Sequence, residues 1–275
     1  MSESNSDIFS TDSKTVMGIL NITNDSFYDG GKYVSEDQIV LRCRNMIDEG
    51  ASIIDIGAQS SRPGAKQISS KDEINKILPI IRLLKKTFQN ITISVDTFWS
   101  DTAVECFQEG ANIINDISAG EIDKNMFPTI AKLNIPYVIM HMQGLPQNMQ
   151  NNPHYNNITK EIIEYFRKKI NKLQQSGFYK IVIDPGFGFG KTIEHNYQIL
   201  NNLEEFKSLK LPILVGTSRK SMIYELLETT PQQSLNGTSI TNTIALNNGA
   251  NILRVHDVKE AIECIKITRF AENNY

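Results

Sequence analysis

Glu49–Gly57, EGASIIDIG, joins a helical pattern to an apolar run through a Gly-Ala pair. The same junction returns at Glu109–Asp116, EGANIIND, and at Asn248–Asp257, NGANILRVHD. Glycine just past a helix end accepts the left-handed conformation that stops the helix. The run that follows is apolar on both faces, which suits a strand buried in a parallel sheet. A helix–glycine–strand junction that recurs in this way points to one repeated β/α unit.

Similar runs appear along the whole chain: VMGIL (Val16–Leu20), SIIDIG (Ser52–Gly57), ITISVD (Ile91–Asp96), NIIND (Asn112–Asp116), IPYVIMH (Ile135–His141), KIVIDPG (Lys180–Gly186), PILVGTS (Pro212–Ser218) and NILRVHD (Asn251–Asp257). Helical patterns lie between them. Glu36–Glu49 places Ile39, Val40, Cys43, Met46 and Ile47 on one face, and Glu73–Phe88 does so with Ile74, Ile77, Leu78, Ile81 and Leu84. Ile158–Gln175, Glu194–Phe206 and Val258–Phe270 have the same character. Eight strands alternating with helices predict an α/β fold, a single (β/α)8 TIM barrel, ahead of an open doubly wound sheet. The 275 residues are close to the ~250 typical of such barrels. No Ser/Gly-rich linker interrupts them, so residues 15–275 are expected to form one domain behind a flexible segment, 1–14.

Composition removes several function classes. Hydrophobic residues are 40% and charged residues 21%, enough for a sizeable core. A net charge of -3 offers no overall field for nucleic acid or an anionic membrane. The polar start, MSESNSDIFSTDSKT, has no signal-peptide pattern, and no run of 18 apolar residues predicts a membrane span. Cys43, Cys106 and Cys264 fit neither a metal knuckle nor a disulfide framework; each falls on a helical pattern, as buried thiols of a cytoplasmic protein would. His141, His154, His195 and His256 contain no i,i+4 pair that would suggest zinc, whereas magnesium held largely by a substrate's phosphate stays open.

Polar groups collect at the C-terminal ends of the runs: Asn21; Asp55, with Ser61 and Arg62 beyond; Asp96; Asn115 and Asp116; His141; Asp184; Ser218, Arg219 and Lys220; Arg254, His256 and Asp257. In a barrel these ends form the catalytic face. Singly, Asp55, Asp116 and Asp257 read equally well as turn or cap residues. Asp96 and Asp184 leave very apolar strands, where an unpaired carboxylate is expensive, and a ligand rich in N–H groups would supply donors. DPGFGFGKT (Asp184–Thr192) fails both phosphate-loop tests, because Pro185 stands where a Walker loop needs glycine and Lys191 where a dinucleotide fingerprint does. Its glycines predict a tight, mobile turn. Phe187 and Phe189 either pack in the core or offer a flat surface to an aromatic ligand. Arg219 and Lys220 open a helix, where cations are not favoured, so an acceptor-rich ligand would explain them. Arg254 and His256 flank Val255 and point the same way. An inward arginine asks for an anion, and a bound diphosphate would satisfy it.

MGILNITNDSFYDGG, DIGAQSSRPGA, ISVDTF, INDISAG, IDPGFGFGK, VGTSRKS and ILRVHDV resemble, in order, the signature segments of the dihydropteroate synthases, from about Val16 to Val258. The resemblance implies a magnesium-dependent, usually homodimeric barrel enzyme. Such an enzyme joins a pterin diphosphate to 4-aminobenzoate in folate biosynthesis and is inhibited by sulfonamides. It places Asp96, Asn115, Asp184 and Lys220 around the pterin, and Asn21, Arg62, Arg254 and His256 around the diphosphate, with Asn21 also near magnesium. It places Phe27, Ser61, Arg62, Pro63, Phe189, Lys220 and Ser221 around the aminobenzoate, and Asp29 in a mobile loop. Asp96, Asp184, Lys220, Arg254 and His256 form its catalytic set. The chain departs from the family pattern at Asn24, where proline is usual, and at Gln59 and Ser61, where a carboxylate and a threonine are usual. A methyltetrahydrofolate methyltransferase barrel would share the pterin pocket without needing Arg254 and His256 around a diphosphate. A non-catalytic barrel would need neither polar loop.

Overall fold

The structure, a computed structural model, describes residues 9–22, 35–59, 67–144 and 147–274. All eight expected runs contain strands: β1 (Thr15–Asn21), β2 (Ile53–Gly57), β3 (Ile93–Asp96), β4 (Ile113–Asp116), β5 (Tyr137–Met140), β6 (Ile181–Asp184), β7 (Leu214–Val215) and β8 (Ile252–Val255). They pair in parallel in the order β6-β5-β4-β3-β2-β1-β8-β7. A parallel bridge between Ile183 and Ile213 brings β6 and β7 together, so the barrel is nearly closed.

Around it lie α1 (Glu36–Asp48), α2 (Ser70–Thr87), α3 (Ser100–Gln108), α4 (Met126–Leu133), α5 (Ile158–Gln175), α6 (Ile193–Asn201), the single-turn α7 (Ser221–Tyr224), α8 (Leu235–Asn247) and α9 (Val258–Asn273). The three Gly-Ala junctions behave as read: Gly50, Gly110 and Gly249 have φ of 110°, 100° and 105°. One helix is shorter than its pattern. α6 stops at Asn201, and a 3-10 segment, Leu203–Leu209, follows in place of the helix expected to Phe206. The Asn202 side chain donates to the Gln198 carbonyl at 2.8 Å, the local competition that makes asparagine a poor helix interior. β7 is also short, because the chain leaves the sheet after Val215, and Arg219 takes a left-handed φ of 57°.

Two apolar layers follow from strand alternation. Outward-facing residues such as Leu20, Ile54, Ile56, Val95, Ile114 and Val255 pack under the helices. Inward-facing Met17, Ile53, Ile113, Val138, Val182, Leu214 and Ile252 fill the lower barrel, with Phe9 packed against them. Each such side chain, fully buried, contributes roughly 1.5–3 kcal/mol. Cys43, Cys106 and Cys264 are free and buried, on α1, α3 and α9. Among the described residues no helix is long and apolar enough to cross a membrane.

Candidate active site

Further along five of the inward rows, the apolar filling gives way to polar and charged groups. Met17 and Ile19 lead to Asn21, Ile53 to Asp55, Ile113 to Asn115, Val182 to Asp184 and Ile252 to Arg254. Strand pairing sets Asp96 against both Gly57 and Asn115, and Asp184 against Met140. Gly57 keeps this mouth open: a Cβ there would lie 3.5 Å from Asn21 Oδ1 and 3.6 Å from Asp96 Oδ2.

Arg254 is the hub. Its Nε donates to Asp55 Oδ2 at 2.7 Å and one terminal nitrogen to Asp96 Oδ2 at 2.8 Å. Asn115 Nδ2 donates to the same Asp55 oxygen at 3.2 Å. The inward arginine therefore meets two carboxylates of the protein, and Asp96 is paired rather than bare. Burial works against the guanidinium charge, but Asp55 and Asp96 outweigh it and hold Arg254 above its ordinary range. Burial pushes Asp96 up to about 7, with Arg254 opposing and Asp55 adding to the rise. Asp55 belongs to this site although it read equally well as a turn or cap. The signal lay in its parity: it faces inward on β2, opposite Ile19 of β1 and Ser94 of β3. Its Oδ1 is buried with no partner among the described residues.

Asp184 is the least compensated carboxylate of the mouth. Its Oδ1 accepts from the Gly186 amide at 2.7 Å, and it forms no salt bridge among the described residues. Burial raises its pKa, against the pull of Lys220, the Gly186 amide and Arg254. Lys220 caps α7, donates to the Phe187 carbonyl at 2.6 Å and stands 4.8 Å over the Phe189 ring. Burial lowers Lys220 to about 8, with Asp184 opposing and Arg254 assisting. His256 pairs through Nδ1 with Ser218 Oγ at 3.1 Å; burial, then Arg254, hold it down at about 4, so the ring is neutral near pH 7.

Other polar ends serve structure. Asp116 accepts from Ser118 N, Ser118 Oγ, Gly120 N and the Tyr137 hydroxyl, a turn role. Arg219 forms a two-point ion pair with Asp257, at 2.9 and 2.7 Å, and needs no ligand to explain it. The glycine-rich turn is fixed rather than mobile, because every carbonyl from Gly186 to Gly190 has a donor. These are Phe189 N, Lys220 Nζ, Gln150 Nε2, Lys191 Nζ and the Tyr155 hydroxyl, in chain order. Phe187 is fully buried in the core, while Phe189 joins a rim cluster with Phe98, Ile117, Met140 and Met149.

A cavity of about 1000 Å³ opens over these groups. Asn21, Asp96, Phe189, Lys220, Ser221, Arg254 and His256 line it together, so the structure unites residues from β1, β3 and β8 with those around β6 and β7. Asn115 and Asp184 are buried and reach it through their neighbours: Asn115 through Asp55 and Arg254, Asp184 through its charge interactions with Lys220 and Arg254. Phe27, Asp29, Ser61, Arg62 and Pro63, and the departures at Asn24 and Ser61, lie outside the described residues. Gln59 lines the cavity and accepts the Ile68 amide at 2.9 Å, as a carboxylate oxygen would. Among the described residues no three His, Cys, Asp or Glu side chains cluster to hold a metal. The Asn21 amide oxygen is a single hard ligand, which fits magnesium carried in on a diphosphate, since that ion keeps several waters and takes few protein oxygens.

The chain matches the pterin binding enzyme family over residues 17–256. It is 42% identical over 254 residues to a dihydropteroate synthase of Escherichia coli, covering 92% of this chain and 89% of that one. Among solved structures it resembles a Yersinia pestis dihydropteroate synthase in complex with a sulfonamide drug, with a TM-score of 0.91, 40% identity and 96% of each chain covered. It also resembles the Xanthomonas albilineans dihydropteroate synthase solved with 4-aminobenzoic acid (TM-score 0.87, 34% identity, 95% of this chain and 94% of that one). The same enzyme in complex with 7,8-dihydropteroate gives a TM-score of 0.85 at 32% identity, covering 96% and 95%.

Proposed function

The chain belongs to the dihydropteroate synthases, and from that premise we propose how its own residues carry the reaction. The enzyme transfers the 7,8-dihydropterin-6-ylmethyl group from its diphosphate to 4-aminobenzoate, forming 7,8-dihydropteroate and releasing diphosphate. One observation carries the residue assignment: the mouth holds a buried, weakly compensated carboxylate, Asp184, beside a half-buried ammonium, Lys220. That arrangement matches a flat heterocycle with N–H groups on one edge and acceptors on another.

Asp184 takes the amino-pyrimidine edge of the pterin, with Asn115 and Asp96 beside it, and Lys220 donates to ring acceptors. Such hydrogen bonds to charged groups are the strong ones. Arg254, His256 and Asn21 face the diphosphate, joined by Arg62. His256 acts there as a neutral N–H donor. Magnesium, held by Asn21 and the diphosphate oxygens, would supply the Lewis acid that offsets charge on the leaving group. The bond from the methylene carbon to the diphosphate oxygen breaks, and its electron pair leaves with diphosphate. Asp96 and Asp184 favour the cationic pterin methylene that remains. The amine nitrogen of 4-aminobenzoate then forms the new C–N bond and gives up a proton to solvent. Phe189, Lys220 and Ser221 form the described wall of the aminobenzoate site, with Phe27, Ser61, Arg62 and Pro63 completing it and Asp29 in the covering loop. Sulfonamides are expected to compete there, as the Yersinia pestis complex suggests.

We also propose a homodimer. Ile240, Ile244, Ile267 and Phe270 are 52%, 38%, 68% and 73% exposed on the adjacent helices α8 and α9, an apolar strip that a second copy would cover. The buried free thiols support a cytoplasmic setting.

Protein mixed with magnesium, the pterin diphosphate and 4-aminobenzoate should form dihydropteroate in step with released diphosphate; no product sinks the reading. Asp184→Ala should abolish pterin binding in calorimetry while leaving the melting temperature close to that of the parent. Retained affinity would remove Asp184 from the pterin site.

A further inference from the structure

We propose that Lys191 is a positioning residue for the aminobenzoate half of the site: it pins the Gly186–Gly190 turn to the end of β5. This rests on the reading of Phe189 as an aminobenzoate wall. Lys191 is 3% exposed, at the inner edge of the cavity. A fully buried amine is costly unless its donors are met, and burial pushes Lys191 well below its ordinary range. Here Nζ lies within hydrogen-bond distance of three groups: the Phe189 carbonyl at 2.9 Å, the His141 carbonyl at 3.2 Å and His141 Nδ1 at 3.1 Å. No carboxylate pairs with it among the described residues, so its bonds go to backbone and to one ring. That ring is itself held, edge-on to Tyr165 at 4.9 Å between centroids.

The glycines show how close the two segments come. A Cβ on Gly186 would lie 1.9 Å from the His141 carbonyl oxygen, and one on Gly190 would lie 2.4 Å from that of Gln143. The turn lies directly on residues 141–143, and Lys191 makes the hydrogen-bonded link across that contact. The link ends on the carbonyl of Phe189, whose ring faces Lys220. Without it, the Phe189 ring loses its fixed height over the cavity, while Asp96, Asn115 and Arg254, on β3, β4 and β8, keep their own network. Burial first, and Lys191 second, hold His141 well below its ordinary range, so the ring stays neutral and keeps an acceptor for Lys191 Nζ.

The test separates the two substrates. In Lys191→Met, which keeps length and loses the donors, the KM for 4-aminobenzoate should rise about tenfold or more, while pterin affinity by calorimetry stays within about threefold. Lys191→Arg, which keeps donors and charge, should recover part of that loss. Tyr155→Phe removes one milder anchor of the same turn, the 2.9 Å bond to Gly190, and should raise the same KM about two- to fivefold. If Lys191→Met does not fold, the Tyr155→Phe measurement still decides. An unchanged aminobenzoate KM in the folded variants, or an equal weakening of both substrates, overturns the proposal. A parent enzyme that forms no product overturns the functional reading instead.

Discussion

Lys220 carries the titration that an activity profile reads most directly. Its ammonium sits between Phe187, Phe189 and the Asp184 charge, and burial lowers it to about 8. The protonated form is the donor, so kcat/KM should fall as pH rises through about 8. Lys220→Arg stays charged throughout, so its lower activity should lack that limb. A limb at the same pH in the variant would assign it to another group. Glu73, on α2, titrates with the opposite consequence for stability. It is fully buried, accepts from the Thr97 hydroxyl and is pushed up to about 7, by burial first. A raised carboxyl pKa favours the protonated fold, so its contribution is full below the ordinary value of 4.5 and lost as pH climbs to about 7. Glu73→Gln should gain roughly 1–3 kcal/mol on the parent between pH 4.5 and pH 8 in urea unfolding. A constant difference across that range would show that Glu73 does not titrate in the fold.

At the scale of elements, the turn after β6 and the helix stop at Gly177 before β6 use glycine for different reasons. Gly186, at φ 73°, combines a left-handed backbone with a blocked Cβ position, whereas Gly177, at φ 76°, has nothing within 4 Å of its Cβ position. Gly177→Ala should therefore cost only the left-handed penalty, about 1–2 kcal/mol. Gly186→Ala must also displace the His141 carbonyl, and it should cost at least ~3 kcal/mol or prevent folding. Equal melting temperatures for the two variants would mean that the turn yields to the added carbon. The sequence showed that DPGFGFGK is a turn, but its rigidity depends on donors from Gln150, Tyr155, Lys191 and Lys220, most of them distant in the chain.

Across the whole molecule, the barrel presents one polar mouth and, on its flank, the apolar strip of α8 and α9. Ile267→Asp together with Phe270→Asp should convert a dimer to a monomer in sedimentation, with the barrel still folded by circular dichroism. A monomeric parent, or a dimer unaffected by both charges, would place the interface elsewhere or remove it. Neither Ile267 nor Phe270 lines the cavity, so pterin binding by the monomer should survive.

Eight strands, their parallel setting and the polar strand ends Asp96, Asn115, Asp184 and Arg254 were legible in the sequence, because strand alternation and helix-stop glycines are short-range properties of the chain, whereas Asp55 read equally well as a turn residue. The partner of each charge was not. Asp116 and Asp184 are each the last residue of a strand, one on the outer face and one on the inner, yet nothing local showed that Tyr137 and turn amides saturate the first while the second accepts from the Gly186 amide. Arg254 finds Asp55 and Asp96 only because β8 and β1–β3 curve into one ring, which brings together groups 199 and 158 residues apart. Electrostatic pairing acts over a few ångströms of space, and only the closed barrel sets those separations.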